Sequence, residues 1–323
     1  MDNVAQGPTQ EPAQAPDIRP KVFRFSDIDQ FRSSVRSLKV EFTPLVRKIS
    51  AEQIVLNLPG CDVNFTKSFP RITDGQLAPD CTLVAFTMDD GIPIRFNGVE
   101  RDRSVITVGG EGATYSMVER VERKFASIAF TPPIRDRGWP PSAANFSLFE
   151  TSQASQHRMR ELVVHVLAAA ERFDHTVDAT VAAGAIRESL LAGVDTVFAD
   201  IVPTKWASHA NSTRQFRIFQ DVRAVLAGDL GRPIYSEELA QQVGVSVRSM
   251  HDAVLRYRGM SLHRFLRLRR LWLVRRRLLE GVAESVKASA LAFGFWHLGD
   301  FSASYRLQFG EPPSETLARS RRS

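Results

Sequence analysis

Arg248, His251 and Asp252 recur at helical spacing, with Ser249 beside them, so one side of a helix would carry all four polar groups. The opposite side carries Met250 and Val254, with Leu255 next to them, as an apolar stripe. An arginine so placed suits two parallel hydrogen bonds to guanine in a DNA major groove, and an aspartate can accept from cytosine. His251 and Asp252 are also the one adjacent acid–base pair in this stretch. Successive helical side chains point about 100° apart, so the pair does not make a catalytic dyad. A second set of groups follows at once. Arg264, Arg267, Arg269, Arg270, Arg275, Arg276 and Arg277 fall between Ser261 and Leu279, interleaved with Leu262, Leu266, Leu271, Val274 and Leu278. The apolar residues can anchor a helix. Seven guanidinium groups cannot all be buried, so some are free for phosphate and others, Arg270 among them, serve as structural partners.

The elements that must position these groups repeat. Leu239, Ala240 and Val243 predict a short helix, Gly244 a tight turn, and Ser246 the hydroxyl cap of the helix that carries Arg248. Val286, Ala290 and Leu291 predict a second short helix before Gly294, and Phe301 and Tyr305 share a face of the helix after it. Two helices joined by a three- or four-residue turn containing glycine make a helix-turn-helix, whose second helix fits the major groove. The spacing predicts two such units, over 236–257 and 284–309, joined by a basic helix from about Ser261 to Leu279. At 1.5 Å per residue that connector spans roughly 28 Å, close to the ~34 Å between successive grooves on one DNA face.

Charge follows the same division. The chain of 323 residues has a net charge of +6, and residues 214–323 carry 19 Lys and Arg against 10 Asp and Glu. The remainder carries 23 against 26, so a basic C-terminal third is joined to a mildly acidic body. No apolar run approaches the ~20 residues of a membrane span. The first residues lack the basic-then-apolar order of a signal peptide. Two cysteines, Cys61 and Cys81, fit a reducing compartment, and a cytoplasmic location is expected.

Residues 1–20, rich in Pro, Gln and Ala, read as a disordered tail. From Val22 to Phe130 the period is two, in short segments separated by Pro59-Gly60, Asp89-Asp90-Gly91 and Gly109–Gly112, which predicts a β-barrel or jelly roll over 21–150. Such folds enclose cavities. Phe65, Phe69, Phe86, Met88, Phe96, Tyr115 and Met117 are candidates to line one, or ordinary core residues. Residues 132–150 read as loop. Two amphipathic helices follow in 151–205, striped by Met159, Leu162, Val163, Val166, Leu167 and Ala170 and by Val181, Ile186, Leu190, Leu191, Val194 and Val197. They can pack back on the β domain or, as favoured here, pair with a second subunit. Residues 206–215 read as a polar linker.

Catalytic signatures are missing from the sequence. All seven histidines lie at or after His157, which removes the usual ligands for iron or zinc from the β region. No P-loop, dinucleotide loop or nucleophile elbow occurs. No cofactor, metal or catalytic residue is expected.

The run from about Phe216 to Leu317 resembles the DNA-binding domain of the AraC/XylS family of bacterial transcription regulators. The matching text is Leu239-Ala-x-x-Val-Gly-Val-Ser, Phe265-Leu-Arg-Leu-Arg-Arg-Leu, and the stretch Ala292-Phe-Gly-Phe-Trp-His-Leu-Gly-Asp-Phe to Pro-Ser-Glu-Thr-Leu317. Its wording is nearest the XylS-like branch, which responds to aromatic acids. The resemblance implies a multidomain α+β chain. It would have a cupin-like barrel with a helical hairpin at the N-terminus and an all-α domain with two helix-turn-helix motifs in 216–323. By the family pattern the base-reading positions fall on Arg248, His251 and Asp252, and in the second unit on Leu298, Ser302 and Ala303. A basic residue more commonly stands where Ala303 does, so the first helix is expected to carry more specificity. Ser246, Arg256, Arg264, Arg267, Arg276, His297 and Arg306 are the phosphate candidates.

The reading is therefore a homodimeric activator controlled by a small organic effector, held by Phe65, Phe86, Met88, Phe96 and Tyr115, and acting on promoter DNA with RNA polymerase. Two alternatives are a ligand-independent regulator whose barrel is an oligomerisation platform, and an alkyl-transfer repair enzyme using Cys61 or Cys81.

Overall fold

The computed structural model describes residues 18–89, 91, 93–101, 105–110, 112–139, 146–173, 178–201, 210–228 and 234–321. Its strands form two antiparallel sheets. The larger has the order β1 (Lys21–Phe25), β3 (Ala51–Leu58), β4 (Cys61–Ser68), β11 (Arg123–Phe130), β6 (Thr82–Thr87), β9 (Val105–Gly110), β12 (Ser147–Glu150). The smaller has the order β2 (Leu38–Pro44), β5 (Arg71–Leu77), β10 (Thr114–Glu119), β7 (Ile94–Phe96), β8 (Val99–Arg101). No pairing among the described residues closes the two into one barrel, so the expected β-barrel is a two-sheet domain with a cavity between the sheets.

The outer face of the larger sheet is covered by a helical hairpin, α2 (Gln153–Glu171) and α3 (Ala179–Ala199), after the short α1 (Ile28–Ser34) near the start of the chain. Leu56, Val63, Val84, Ile106 and Ile128 of the sheet form one buried core with Met159, Val163, Leu190, Leu191 and Val194 of the hairpin. The stripes expected to meet a second subunit are thus spent inside the chain. The physical reason is area: burying each Leu or Val side chain contributes roughly 1.5–3 kcal/mol, and the sheet offers the matching apolar face.

The C-terminal helices are α4 (Ala210–Gly228), α5 (Ser236–Val243), α6 (Val247–Arg258), α7 (Leu262–Leu279), α8 (Val286–Ala292), α9 (Leu298–Phe309) and α10 (Pro313–Ser320), and the group built on α4, α6 and the first half of α7 packs on the outer face of the smaller sheet. Ile72 and Val118 of the sheet share a core with Phe219, Val222, Val254, Tyr257 and Leu262. Helix α7 belongs to two cores. Its first half supplies Leu262, Phe265 and Leu266 to this one, and its second half supplies Leu271, Val274 and Leu278 to another with Phe301, Tyr305 and Phe309.

Several expectations need correction. Residues 1–17 of the expected tail lie outside the described residues, but Ile18 is buried in the core between sheet and hairpin. Residues 206–209 of the expected linker also lie outside them, and 210–215 are helical. Within the stretch read as loop, residues 147–150 form β12 against β9.

Candidate nucleic-acid interface and inter-sheet cavity

In the first helix-turn-helix, α5 ends where Gly244 adopts φ 73°, a left-handed conformation that costs glycine nothing. The chain turns through Gly244–Ser246, and the Ser246 hydroxyl accepts from the Ser249 amide at 3.1 Å to start α6. Met250, Ala253 and Val254 bury one face of α6. That leaves Arg248 and Asp252 exposed and His251 half-buried on the other side. Leu255, expected in the apolar stripe, is exposed, because it lies one residue past Val254 and points away from the core.

The second unit is built more loosely. Its turn runs Phe293–His297, five residues rather than three or four, and His297 begins α9 without a side-chain cap. Phe301, Tyr305 and Phe309 bury the inner face of α9. His297, Ser302, Ala303 and Arg306 are exposed, while Leu298 is half-buried against the core and only partly available to a base.

The arginines of α7 divide as their surroundings dictate. Arg264, Arg267 and Arg276 are exposed; Arg267 donates to Ser304 Oγ, and Arg276 forms a 3.7 Å surface pair with Glu280. Arg270 lies 5.2 Å from the Phe295 ring centre and donates to the Gly294 carbonyl, and burial lowers its pKa. Arg275 pairs with Glu311 at 2.9 Å, and Arg269 donates to the Leu226 carbonyl. Arg256, at the end of α6, donates to Gln215 Oε1 at 3.0 Å, so this phosphate candidate is partly occupied.

The cavity between the sheets has a volume of about 120 Å³. Phe96 and Tyr115 line it with their rings stacked at 5.7 Å, Met117 lies beside them, and Phe86 borders it. Phe65 and Met88 do not line it. In β4 the residues facing the cavity are Asn64 and Thr66, and alternation turns Phe65 to the opposite face, that of Val63. Met88 packs against the core under the hairpin, and Phe69 joins a separate cluster around Phe31.

Sequence reasoning missed the polar wall of the cavity. Arg71, buried and surrounded by the rings of Phe31, Phe42, Phe69 and Phe125 at 5.1–5.8 Å, pairs with buried Glu119 at 3.0 Å. Arg123 approaches the other Glu119 oxygen at 4.0 Å. Burial raises the Glu119 pKa, opposed by the two arginines and the Ser68 hydroxyl, and burial lowers that of Arg123. Gln53 completes this wall. Its amide donates to Asn64 Oδ1 at 3.2 Å, while its own buried carbonyl oxygen accepts no hydrogen bond from the described residues. The available signal was faint: charged residues in strand register are ordinarily assigned to solvent.

Among the described residues no cluster of His, Cys, Asp and Glu could hold a metal, and no helix is long and apolar enough to cross a membrane. Both thiols are buried, and burial pushes Cys61 up to about 12 and Cys81 up to about 11. A thiol so protonated at neutral pH is a poor alkyl acceptor.

Two helix-turn-helix units on one basic rod define a class of DNA-binding domain. A family model described as a helix-turn-helix domain matches residues 239–319. The chain is 37% identical over 103 residues to the XylDLEGF operon transcriptional activator 1 of Pseudomonas putida, which covers 31% of each chain. It is 35% identical over 88 residues to the probable thc operon regulatory protein of Rhodococcus erythropolis, covering 27% of this chain and 26% of that one. The match thus spans less than a third of these relatives' length. A solved structure of a probable AraC family transcriptional regulator from Rhodopseudomonas palustris is 38% identical, with 32% of this chain and 96% of that chain covered and a TM-score of 0.29. Over this domain the chain is similar to transcription regulators of the AraC/XylS family.

Proposed function

We propose that the protein is a sequence-specific transcription activator whose N-terminal domain, residues 21–150, takes a small organic acid and whose residues 216–323 bind promoter DNA. The observation that carries this reading is α7, which roots one helix-turn-helix core in its first half and the other in its second while both outer faces stay exposed. Arg248, His251 and Asp252 read bases from α6; Leu298, Ser302 and Ala303 meet them from α9. Ser246, Arg264, Arg276, His297 and Arg306 face phosphate, with Arg256 and Arg267 contributing once freed from Gln215 and Ser304.

The two sheets act as the walls of a cupin-like effector site. Arg71 and Arg123 put guanidinium groups at the wall of an otherwise apolar space, which gives a carboxylate hydrogen-bond donors to meet. The cavity is on the scale that holds a single aromatic ring. Phe96 and Tyr115 supply the ring contacts, while Phe86, next to Ala85 in β6, turns its ring toward the hairpin core. The remaining outward face of α2–α3, where Val164 and Val181 stand exposed, serves a homodimer, and RNA polymerase is the downstream partner.

Enrichment of a random duplex pool by the full chain tests the DNA reading; a pool that stays random rejects it. Thermal-shift titration with benzoate and with neutral benzyl alcohol tests the acid. Stabilisation by benzoate alone is the expected result. Stabilisation by neither would favour a ligand-independent regulator whose sheets serve only to assemble copies.

A further inference from the structure

Strands β5 and β10 have both faces occupied. Their register pairs Glu119 with Arg71, Met117 with Thr73 and Tyr115 with Gly75 on the side of the cavity. It pairs Val118 with Ile72 and Ser116 with Asp74 on the side of the DNA-binding helices. The two sets share one backbone and alternate residue by residue, so a displacement of either strand moves both.

What sits on the outer set is the end of the first reading helix. Arg258, the last residue of α6, is fully buried, with its guanidinium 4.6 Å and 4.9 Å from the ring centres of Phe219 and Phe265. It donates to Ser116 Oγ at 2.6 Å and pairs with Asp74. Arg223 of α4 pairs with the other Asp74 oxygen at 3.2 Å. The last carbonyls of a helix have no partner within it and carry its negative end. Here the N-terminal domain supplies the missing donors: Arg95 to the Arg256 carbonyl and Arg120 to the Gly259 carbonyl, both at 2.8 Å.

We propose that Arg258, Asp74 and Ser116 form a latch that holds the DNA-binding domain against the back wall of the cavity, and that packing inside the cavity opens it. Closed, the latch spends Arg223 and Arg258 on one carboxylate and fixes the C-terminal end of α6. Open, it returns two cations to a domain that must meet a polyanion and lets the α4–α6 unit settle into the groove. Affinity for DNA then rises through both charge and freedom. This inference rests on the DNA-binding reading above.

The test uses the full chain and a duplex that the wild type has enriched from a random pool. Asp74→Asn removes the charge that holds both arginines and touches neither reading face. Ala85→Leu adds bulk to the cavity from β6 of the opposite sheet, away from β5 and β10, with Ala85→Val as the milder step if that variant does not fold. Both changes are expected to speed amide hydrogen exchange over 254–260 and to tighten duplex binding, Asp74→Asn by at least fivefold. Wild-type exchange or unchanged or weaker binding in Asp74→Asn overturns the latch. A latch that responds to Asp74→Asn but not to bulk at position 85 overturns the coupling, and the proposal with it. If the wild type enriches no duplex, the DNA reading fails first and takes the latch down with it.

Discussion

The two helix-turn-helix units are alike in frame and unlike in finish. Helices α6 and α9 are each 12 residues long and each ends at a left-handed glycine, Gly259 or Gly310. Three residues before that glycine, each has a carbonyl held by an arginine of the N-terminal domain: Arg95 on Arg256, and Arg47 on Leu307 at 2.7 Å. The beginnings differ. Helix α6 has a side-chain cap and a charged outer face, whereas α9 has an uncapped start, a longer turn and the small residues Gly299, Ser302 and Ala303. Their inner faces differ in the opposite sense, Met250 and Val254 in α6 against the aromatic column Phe301, Tyr305 and Phe309 in α9. The lesson is a division of labour: one unit is finished for reading, the other for holding its shape.

The comparison can be broken most forcefully at the cores. Phe301→Ala is expected to cost ~3–5 kcal/mol in denaturant unfolding and Met250→Ala ~2–5 kcal/mol, with the second unit the more damaged of the two. Equal losses would remove the contrast. On the outer faces, Arg248→Ala is expected to lower affinity for the enriched duplex by ~1–3 kcal/mol and relax one base position. Ser302→Ala, which removes a single hydroxyl, should cost only about 0.5–1.5 kcal/mol. A binding titration with the order reversed would hand specificity to α9. At the helix starts, Ser246→Ala is expected to destabilise by about 0.5–2 kcal/mol, and His297→Ala, with no cap to lose, far less. Thermal melts of the two variants decide this.

A further effect concerns acid. Glu311, just beyond α9, is hydrogen-bonded first by Arg319, then by Thr316, with Arg275 alongside; these hold its carboxyl down at about 2 from the ordinary 4.5. A depressed pKa stabilises the fold above the unfolded value and the contribution fades as pH falls from about 4.5 toward 2. Glu311→Gln is therefore expected to lower the melting temperature at pH 7 and to shrink the difference from wild type at pH 3. A gap that widens in acid contradicts the pairing.

How much of this was legible in the sequence depended on what each residue faces. The starts of α6 and α7 could be read closely because serine hydroxyls mark them locally: Ser246 and Ser261, expected to open these helices, cap them. Strand β5 carries no apolar alternation in its Arg71-Ile-Thr-Asp-Gly-Gln-Leu text, since Arg71 faces a buried glutamate on one side and Asp74 a buried arginine on the other. Neither partner is local. Among the candidates for the cavity, alternation could say that Phe65 and Thr66 face opposite ways, but not which way is inward, because one slip in pairing flips both. Helix α4 began inside what polar composition suggested was a linker.

Gly75 carries a consequence of its own. A methyl group built there would stand 2.1 Å from the Tyr115 ring, which lies flat across the strand only because the position is bare. The smallest possible side chain at residue 75 would tip that phenol inward, and the space open to it is the cavity. The protein would then be plugged by a part of itself, a tenant that no dialysis could remove.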